Sequence, residues 1–224
     1  FLDMYYGADG AMNYASRIYL AESADDAARR AVVDAYDGDW SATISVQVAD
    51  EATVSLDVCS VTHDLLRFPA QQSGVESLRD SGALICSRIA DEFGLAAGDS
   101  ITFSPYGSDD TYTVPITAVV RSVTKSISIT PACAERIGLD YTVDSVYTRT
   151  EKSAIPSDTR IKSVQSKQMI VDFNNDLFLR LMNIPGCSDQ YTDHDCVKTG
   201  APAQKQDNYP VEFHALMTKS LKEQ

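Results

Sequence analysis

Basic residues are scarce in this chain, and what is missing excludes several kinds of function. Its 224 residues include 19 lysines and arginines against 32 aspartates and glutamates, a formal net charge of −13 at pH 7. A field of that sign repels nucleic-acid phosphates and anionic lipid headgroups, so we expect no nucleic-acid partner. No apolar run approaches the roughly 18 residues of a membrane-spanning helix, and no signal peptide is evident.

Phosphate-binding and nucleophile motifs are also missing. The segment from Gly7 to Gly10 and the turn at 105–110 are too short and too acidic to cradle a phosphate group. No P-loop or dinucleotide fingerprint follows a predicted strand, and no G-x-S-x-G elbow is present. We therefore predict no cofactor. If an ATPase works with this chain, it belongs to another chain or domain.

Histidine is limited to three residues, and one of them lies in a segment that invites comparison with hydrolases. Ser60, His63 and Asp64 follow one another closely in sequence. The members of a catalytic triad converge from separate loops instead, which neighbouring residues on one strand or turn cannot do. A polar junction between subdomains is therefore favoured over a catalytic site here.

Five cysteines are present, an odd number. Cys59, Cys86 and Cys133 lie in apolar or helix-start contexts and are predicted to be buried thiols. Cys187 and Cys196 enclose a polar loop and could be bridged outside the cytoplasm. This loop also holds three aspartates and a histidine, but their spacing is typical of neither a zinc nor a calcium site, so no metal is predicted.

The N-terminal quarter has the periodicity of a β-α-β-β unit. A first strand is predicted over Tyr14–Leu20, and Ser23 and Asp26 then have the spacing of a capping box that opens a helix. Strict alternation of apolar and polar residues over Trp40–Val48 predicts a half-buried strand. The same alternation over Val54–Val58 predicts its returning partner.

The segment Ser81–Thr130 predicts a short helix followed by a small β-meander. Gly94 fits the left-handed glycine that ends such a helix. Strands are predicted at Ser100–Ser104 and Thr111–Val123, joined by turn-forming residues. The apolar side of the predicted helix consists of Ala83, Ile85, Ile89 and Phe93.

The C-terminal part is predicted to return to helices and strands in turn. Thr130 and Pro131 begin a short helix, and Val143–Thr148 alternates as a strand. Pro156 opens the longest predicted helix, which runs to about Asn183. After a long polar loop, Tyr209–Met217 alternates again. The outer segments together predict a split βαβ sheet with helices on one face, an α+β arrangement.

The phrase G-L-x-x-G-D-x-I from Gly94 to Ile101 lies within Leu84–Val120, between a helix and a strand, turn and strand that ends in Val-Val. This combination resembles the extracytoplasmic core domain of FtsX-like and MacB-like ABC transporter permeases, and the likeness extends roughly from Arg17 to Lys222. The resemblance implies a Porter-like α+β subdomain at residues 1–63 plus 143–224. A β-rich, Sabre-like subdomain would be inserted at residues 64–142.

The resemblance also implies a role without catalysis. Such a domain moves as a separate nucleotide-binding subunit binds and hydrolyses ATP, and it acts on a protein or peptide outside the membrane. The full-length protein is then expected to be dimeric and to lie at the extracytoplasmic face of the bacterial cell membrane. Because the chain begins with Phe1 rather than Met, we expect a fragment or mature product. Phe1–Tyr14 and Thr218–Gln224 would be membrane stalks that lie next to each other in space.

In the permease families that couple to a periplasmic adaptor, the tip of the inserted subdomain makes that contact. By residue-level transfer, the resemblance assigns that contact to a turn made of Pro105, Tyr106, Gly107, Asp109 and Asp110. No diagnostic adaptor motif is present, and the long loop from Cys187 to Asn208 departs from the best-known members.

Two other classes of function stay open from the sequence. One is a secreted or surface module that binds a peptide or small ligand in a cleft between its subdomains. Apolar spans flanking both ends of the full reading frame would favour the permease, and their absence would favour this free module. The other is a hydrolase that uses His63 or His194, which predicts activity that is lost on replacement of the histidine by alanine.

Overall fold

The computed structural model describes residues 4, 7, 9–49, 52–122 and 124–182. The predicted disulfide between Cys187 and Cys196, the predicted strand Tyr209–Met217 and the predicted stalk Thr218–Gln224 lie outside them. The elements in chain order are β1 (Ser16–Leu20), α1 (Asp26–Tyr36), β2 (Asp39–Val48), β3 (Ala52–Cys59), β4 (Phe68–Pro69), β5 (Val75–Glu76), β6 (Ala83–Cys86), α2 (Ser87–Phe93), β7 (Ser100–Pro105), β8 (Tyr112–Val120), β9 (Ser126–Ile129), α3 (Pro131–Ile137), β10 (Ser145–Thr148), β11 (Ile161–Ser166) and α4 (Lys167–Met182).

The first two strands form a split βαβ unit, as the sequence predicted. β10 lies between β1 and β2 and is antiparallel to both, so β1 and β2 run parallel to each other. Helix α1 crosses from one to the other and packs its buried Val32 against Ile18, Leu20 and Val146 of the sheet. β11 pairs with the other side of β1 and ends this part of the sheet.

Six strands close into a barrel in the order β2, β3, β9, β6, β8 and β7, with β7 pairing back to β2. Alternate residues of these strands point inward, which removes their apolar side chains from water. The residues at the centre of the barrel are fully or nearly fully buried, as shown by Leu56, Ile85, Phe103, Ile116 and Ile127.

β2 belongs to both parts of the sheet. On the edge away from β3, its residues Asp39–Ser41 pair with β10, whereas Val46–Val48 pair with β7. The ten-residue strand is therefore the link between the split βαβ unit and the barrel. Its alternation was predicted from the sequence, and Ala42, Val46 and Val48 are buried as expected.

Two short helices end as their sequences predict. Gly94 after α2 and Gly138 after α3 both have left-handed backbone angles, with φ of 64° and 70°. Such angles strain residues that carry a Cβ atom, so glycine is the usual choice. Thr130 also caps α3 as predicted, because its hydroxyl accepts a hydrogen bond from the amide of Cys133 at 3.1 Å.

The predicted cap of α1 was wrong by two residues. Asp25 occupies the N-cap position, and its carboxylate accepts a hydrogen bond from the amide of Ala28 at 2.8 Å. Ser23 lies outside the helix, and Asp26 is the first helical residue. Aspartate and serine are similarly good caps, so the sequence alone ranks two candidates two positions apart almost equally.

Residues Ala83–Cys86, predicted as the start of a helix, form strand β6 instead, and α2 covers only Ser87–Phe93. All four strand residues are buried, because β6 lies between β8 and β9 and is covered on both faces. A strand buried on both faces has a continuous apolar run, which periodicity cannot distinguish from a buried helix. Gly82 allows the close approach of β8, since a Cβ atom there would lie 2.2 Å from the carbonyl oxygen of Pro115.

The prediction of a long helix from Pro156 was also wrong over the first half of that segment. Ile161–Ser166 is strand β11, and helix α4 begins only at Lys167. The edge of β1 supplies the pairing that favours a strand here, since Arg17 opposes Gln165 and Ile18 opposes Val164. Ser166 then marks the change to helix, because its hydroxyl accepts a hydrogen bond from the amide of Met169 at 3.0 Å.

The predicted division into residues 1–63 plus 143–224 and an insert at 64–142 is not confirmed and stays a prediction. β3 lies in the first of these parts and β9 in the second, yet Leu56 and Ile127 oppose each other in parallel register. β2 and β7 pair across the same division. The fold is a mixture of α and β structure in which one sheet runs through both parts.

Candidate functional site

The described chain enters and leaves the sheet at one place, which we call the base. Ser16, the first residue of β1, lies opposite Ser166, the last residue of β11. The amide of Lys167 donates a hydrogen bond to the carbonyl oxygen of Ala15 at 2.8 Å. The chain therefore enters the sheet and leaves it through two adjacent strands at the base.

Helix α4 continues from the base and carries an exposed apolar stripe. Met169, Phe173 and Leu177 follow one another at intervals of four residues, the spacing that places side chains on one helix face. Their exposed fractions are 48%, 65% and 38%. The stripe lies on the segment of chain that leaves the fold.

The turn that was predicted to contact a partner follows the end of β7. Pro105 is the last residue of that strand and opposes Val46 of β2. The amide of Tyr106 donates a hydrogen bond to the carbonyl oxygen of Ser45 at 2.9 Å, and its side chain is 69% exposed. Gly107 has a left-handed φ of 80°, as a tight turn requires.

The same turn ends in two exposed acidic residues. The hydroxyl of Ser108 donates a hydrogen bond to the carboxylate of Asp110 at 3.0 Å and accepts one from its amide at 3.1 Å. Asp109 is exposed beside them. Asp39 lies level with Arg17 beside the base, because both oppose Tyr147. Ser45 lies six residues further along β2, so the turn stands roughly 20 Å from the base along the strand.

A groove of about 730 Å³ separates this turn from the split βαβ unit. Pro105 and Tyr106 form one wall, and the loop after α3 forms the other with Asp140 and Tyr141. Gly107, Asp109 and Asp110 are not among its lining residues. The structure thus brings two of the five predicted contact residues together with residues of a loop that the sequence did not single out.

A second concavity of about 430 Å³ shares Asp140 and Tyr141 with the first and extends along α3 to Glu135. We call the two together the acidic furrow. Burial raises the pKa of Tyr141, and the nearby carboxylate of Glu135 raises it further. The ring of Tyr141 stacks on that of Trp40, with centroids 5.8 Å apart and an angle of 21° between the planes.

Ser60, His63 and Asp64, which were considered for a hydrolase, have other partners, and His194 lies outside the described residues. The imidazole of His63 lies 3.3 Å from Asp37 and 3.5 Å from Asp39, on either side of the ring. Asp64 instead pairs with Arg67 at 2.6 Å, and this hydrogen bond lowers the pKa of Asp64. Ser60 approaches Asp39 at 3.4 Å. The sequence neighbours therefore hold the segment after β3 in place and do not assemble as a triad.

Asp39 is the centre of these contacts and is fully buried. Its two carboxylate oxygens accept hydrogen bonds from the amides of His63 at 3.0 Å and Leu65 at 2.9 Å. A buried carboxylate is stable only when such donors replace water. The role of Asp39 in fastening this segment was missed, because the sequence placed it only before a strand.

A second polar cluster lies on the face of the sheet that α1 leaves open. The guanidinium of Arg17 lies 4.4 Å from the ring of Tyr19 and 5.2 Å from that of Tyr147, and it donates to the hydroxyl of Ser145. Burial raises the pKa of Asp57 on β3. Odd-numbered residues of β1 and β10 share this face, and that alternation is the one sequence signal for the cluster.

Among the described residues, no group of three or more histidine, cysteine or acidic side chains could hold a metal ion. Cys59, Cys86 and Cys133 are buried thiols, as predicted. Burial raises the pKa of Cys59 well above its ordinary value, which keeps this sulfur protonated. The predicted bridge between Cys187 and Cys196 lies outside the described residues.

Comparison with known proteins finds similarity in structure alone. No family model matches the sequence, and no curated protein matches it. The periplasmic region of MacB from Actinobacillus actinomycetemcomitans is 9% identical, with a TM-score of 0.44 over 79% of this chain and 95% of that chain. The extracellular domain of the noncanonic ABC-type transporter YknZ from Gram-positive bacteria is 16% identical, with a TM-score of 0.39 over 62% of this chain and 84% of that one.

These two structural likenesses agree with the resemblance to MacB-like extracytoplasmic domains that was predicted from the sequence. In the described part of the chain, none of the helices has both the length and the apolar character needed to cross a membrane.

Proposed function

We propose that this chain is the extracytoplasmic domain of an ABC transporter permease, attached to membrane-spanning segments at both ends. The observation that carries the proposal is the pairing of β1 with β11 at the base, where Ser16 opposes Ser166. A domain inserted between two membrane-spanning helices needs its ends side by side, and the pairing of Ser16 with Ser166, one strand spacing or roughly 5 Å apart, supports such an arrangement.

The pairing also gives the domain a way to transmit motion. Ser16 pairs with both Thr148 and Ser166, so the strand that enters is hydrogen-bonded on both edges. A displacement of either membrane segment is then passed to the whole sheet, because moving one strand alone would break its ladders. The domain itself is non-catalytic, and a separate nucleotide-binding subunit supplies the energy by hydrolysing ATP.

The partners are those that the resemblance to ABC transporter permeases implies. They are the chain's own membrane-spanning helices, the ATPase subunit, a second copy in a dimer, and a protein or peptide outside the cytoplasm. The predicted contact turn with Tyr106 stands away from the base and is exposed, which suits a partner that approaches from outside the membrane. Pro105, Gly107, Asp109 and Asp110 remain candidates for that contact.

Labelling of the full-length protein in intact cells tests the location. Asp91 is exposed on α2, and the three cysteines of the described residues are buried. We expect a membrane-impermeant maleimide to label the Asp91→Cys variant more strongly than the parent protein before permeabilisation. The protein should also remain in the membrane pellet after an alkaline carbonate wash. Labelling only after permeabilisation would contradict the proposal, and release by the wash would favour a free ligand-binding module.

Pulsed electron spin resonance tests the transmission of motion. A spin label at the same Asp91→Cys position reports the distance between two copies in a dimer, in the presence of the ATPase subunit. We expect this distance to shift by several ångströms between the nucleotide-free and the ATP-bound state, while a label pair on α1 and β11 within one domain keeps its distance. An unchanged distance between the copies would contradict a mechanical role.

A further inference from the structure

The acidic furrow lies where β2 changes partners. On the edge away from β3, Ser41 is the last residue that opposes β10, and Val46 is the first that opposes β7. Residues 42–45 lie between these two registers, in the described part of the chain. The two sides diverge here, because one belongs to the split βαβ unit and the other closes the barrel.

Hydrogen bonds link β2 to both diverging sides of this opening. The amide of Thr43 donates a hydrogen bond to the carboxylate of Asp144 at 2.6 Å, and Ser45 accepts one from the amide of Tyr106. On the side of the split βαβ unit, the ring of Trp40 stacks on that of Tyr141, which lines the furrow. The opening is therefore part of the folded structure.

The lining of the furrow combines negative charge with aromatic and apolar surface. Three carboxylates lie along it and no lysine or arginine does, among the residues described. Arg30 on α1 acts electrostatically on Tyr141 and lowers its pKa. The carboxylates are those of Asp26, Glu135 and Asp140. The aromatic and apolar residues include Tyr106, Tyr141 and Ile44.

We propose that the acidic furrow binds an extended polypeptide segment that carries lysine or arginine side chains. An ammonium or guanidinium group is attracted by carboxylates and by the faces of tyrosine rings, and its aliphatic stem suits apolar residues such as Ile44 and Pro105. The net charge of −13 favours the approach of such a segment from a distance.

The shape favours a polypeptide over a small cation. The two concavities share Asp140 and Tyr141 and follow each other from the turn at Tyr106 to the first helical residues of α3. The carboxylates are spread along this length instead of converging on one point, as metal ligands would. An extended chain with several positive side chains matches that spacing, and its contacts add up over the length of the furrow.

The fluorescence of Trp40 can report the binding of a peptide in the furrow. Trp40 is the only tryptophan of the chain, and it stacks on Tyr141 in the furrow. The probe is a ten-residue peptide that alternates lysine and serine, acetylated and amidated at its ends, and the reference is the same peptide with glutamate in place of lysine. We expect the lysine peptide to change the emission of Trp40 saturably and the glutamate peptide to leave it unchanged. Isothermal titration calorimetry gives an independent Kd.

Three variants locate the binding. Asp140→Asn and Tyr106→Ala should each weaken binding of the lysine peptide about threefold, and the double variant about tenfold. Both side chains are exposed, and the alanine variant keeps the main-chain amide that bonds to Ser45. The matched control is Asp34→Asn, which removes the same charge from an exposed position on α1 outside the furrow and should leave Kd unchanged.

Two results would overturn the inference. The first is an absence of any saturable response to the lysine peptide in low salt. The second is equal weakening by Asp140→Asn and Asp34→Asn, which would assign the binding to net charge alone. The inference goes beyond the proposed function and does not depend on it, because peptide binding is measured on this chain in solution and membrane location on the full-length protein in cells.

Discussion

The side-chain nitrogen of Lys167 lies 2.8 Å from the main-chain carbonyl oxygen of Met12, although the two residues are 155 positions apart in sequence. Burial lowers the pKa of Lys167, and the nearby charge of Arg67 lowers it further. The contact fastens the first turn of α4 to the segment that leads into β1. It adds a side-chain link to the strand pairing at the base.

The first prediction concerns that link. Lys167→Gln shortens the side chain and removes its charge, so the amides of Ala15 and Lys167 at the base should exchange with solvent several times faster. The loss of global stability should stay at or below about 1 kcal/mol, because one hydrogen bond near the surface is lost. Hydrogen–deuterium exchange measures both effects. Lys162→Gln, which breaks an exposed ion pair with Glu22, is the matched control and should change neither value.

The second prediction separates the two possible caps of α1. Asp25→Ala removes the acceptor for the amide of Ala28 and should cost about 1 kcal/mol of unfolding free energy. Ser23→Ala should change stability by less than about 0.5 kcal/mol, since Ser23 is exposed and lies before the cap. Urea denaturation followed by circular dichroism distinguishes them. A larger effect at Ser23 would restore the cap that the sequence predicted.

The third prediction tests a structural role for Asp39. An asparagine at this position keeps one carbonyl oxygen, whereas the carboxylate accepts from two buried amides, those of His63 and Leu65. Asp39→Asn should therefore lower stability by about 1–3 kcal/mol. Asp37→Asn makes the same chemical change on an exposed side chain and should be nearly neutral. Equal midpoints of thermal unfolding for the two variants would contradict this role.

The fourth prediction concerns the dependence of stability on pH. Burial raises the pKa of Asp57, and the hydroxyl of Thr43 opposes this in part by donating a hydrogen bond at 2.9 Å. The folded state thus favours the protonated carboxyl, and its contribution to stability is lost as pH rises through the raised pKa. Asp57→Asn should then be more stable than the parent protein at pH 7, with a difference that shrinks below about pH 4.

Urea midpoints at pH 4 and pH 7 measure that difference. Asp34→Asn removes the same charge from an exposed site on α1 and serves as the reference for changes in net charge. If both variants gain equally at pH 7, the effect comes from the overall charge of −13 and not from the burial of Asp57.

The fifth prediction concerns the barrel core. Ile127 is fully buried and lies opposite Leu56 on one side and Ile85 on the other. Ile127→Ala should destabilise the protein by about 2–5 kcal/mol, since the rigid strands around it cannot collapse into the cavity. Thr102→Ala on the outer face of β7 should cost less than about 1 kcal/mol. A loss below 1 kcal/mol at Ile127 would mean that the barrel is not closed around it.

The sequence predicted strands with one buried face well and strands with two buried faces poorly. β2 alternates over ten residues, because one face of it meets the core and the other meets water over much of its length. β6 has no such alternation, since both of its faces are covered. β11 was missed because its strand character comes from pairing with β1, a partner about 145 residues earlier that no local pattern reveals.

The candidate site was predicted only in part for a similar reason. Turn chemistry in the sequence identified Pro105 and Tyr106, and both line the acidic furrow. Asp140 and Tyr141 lie in a connection between α3 and β10 that has no motif of its own. They reach the furrow only because β2 pairs with β10 and with β7 in turn, a long-range topology that local periodicity does not encode.

The position of β1 between β10 and β11 constrains how the protein can be made. Arg17 and Ser145, which are hydrogen-bonded across this ladder, are 128 residues apart, so β1 has no strand partner until most of the chain has been synthesised. Contacts of such high sequence separation fold slowly and leave strand edges open to aggregation in the meantime. Until β10 and β11 emerge, β1 of the nascent chain therefore leaves both of its edges open to other strands.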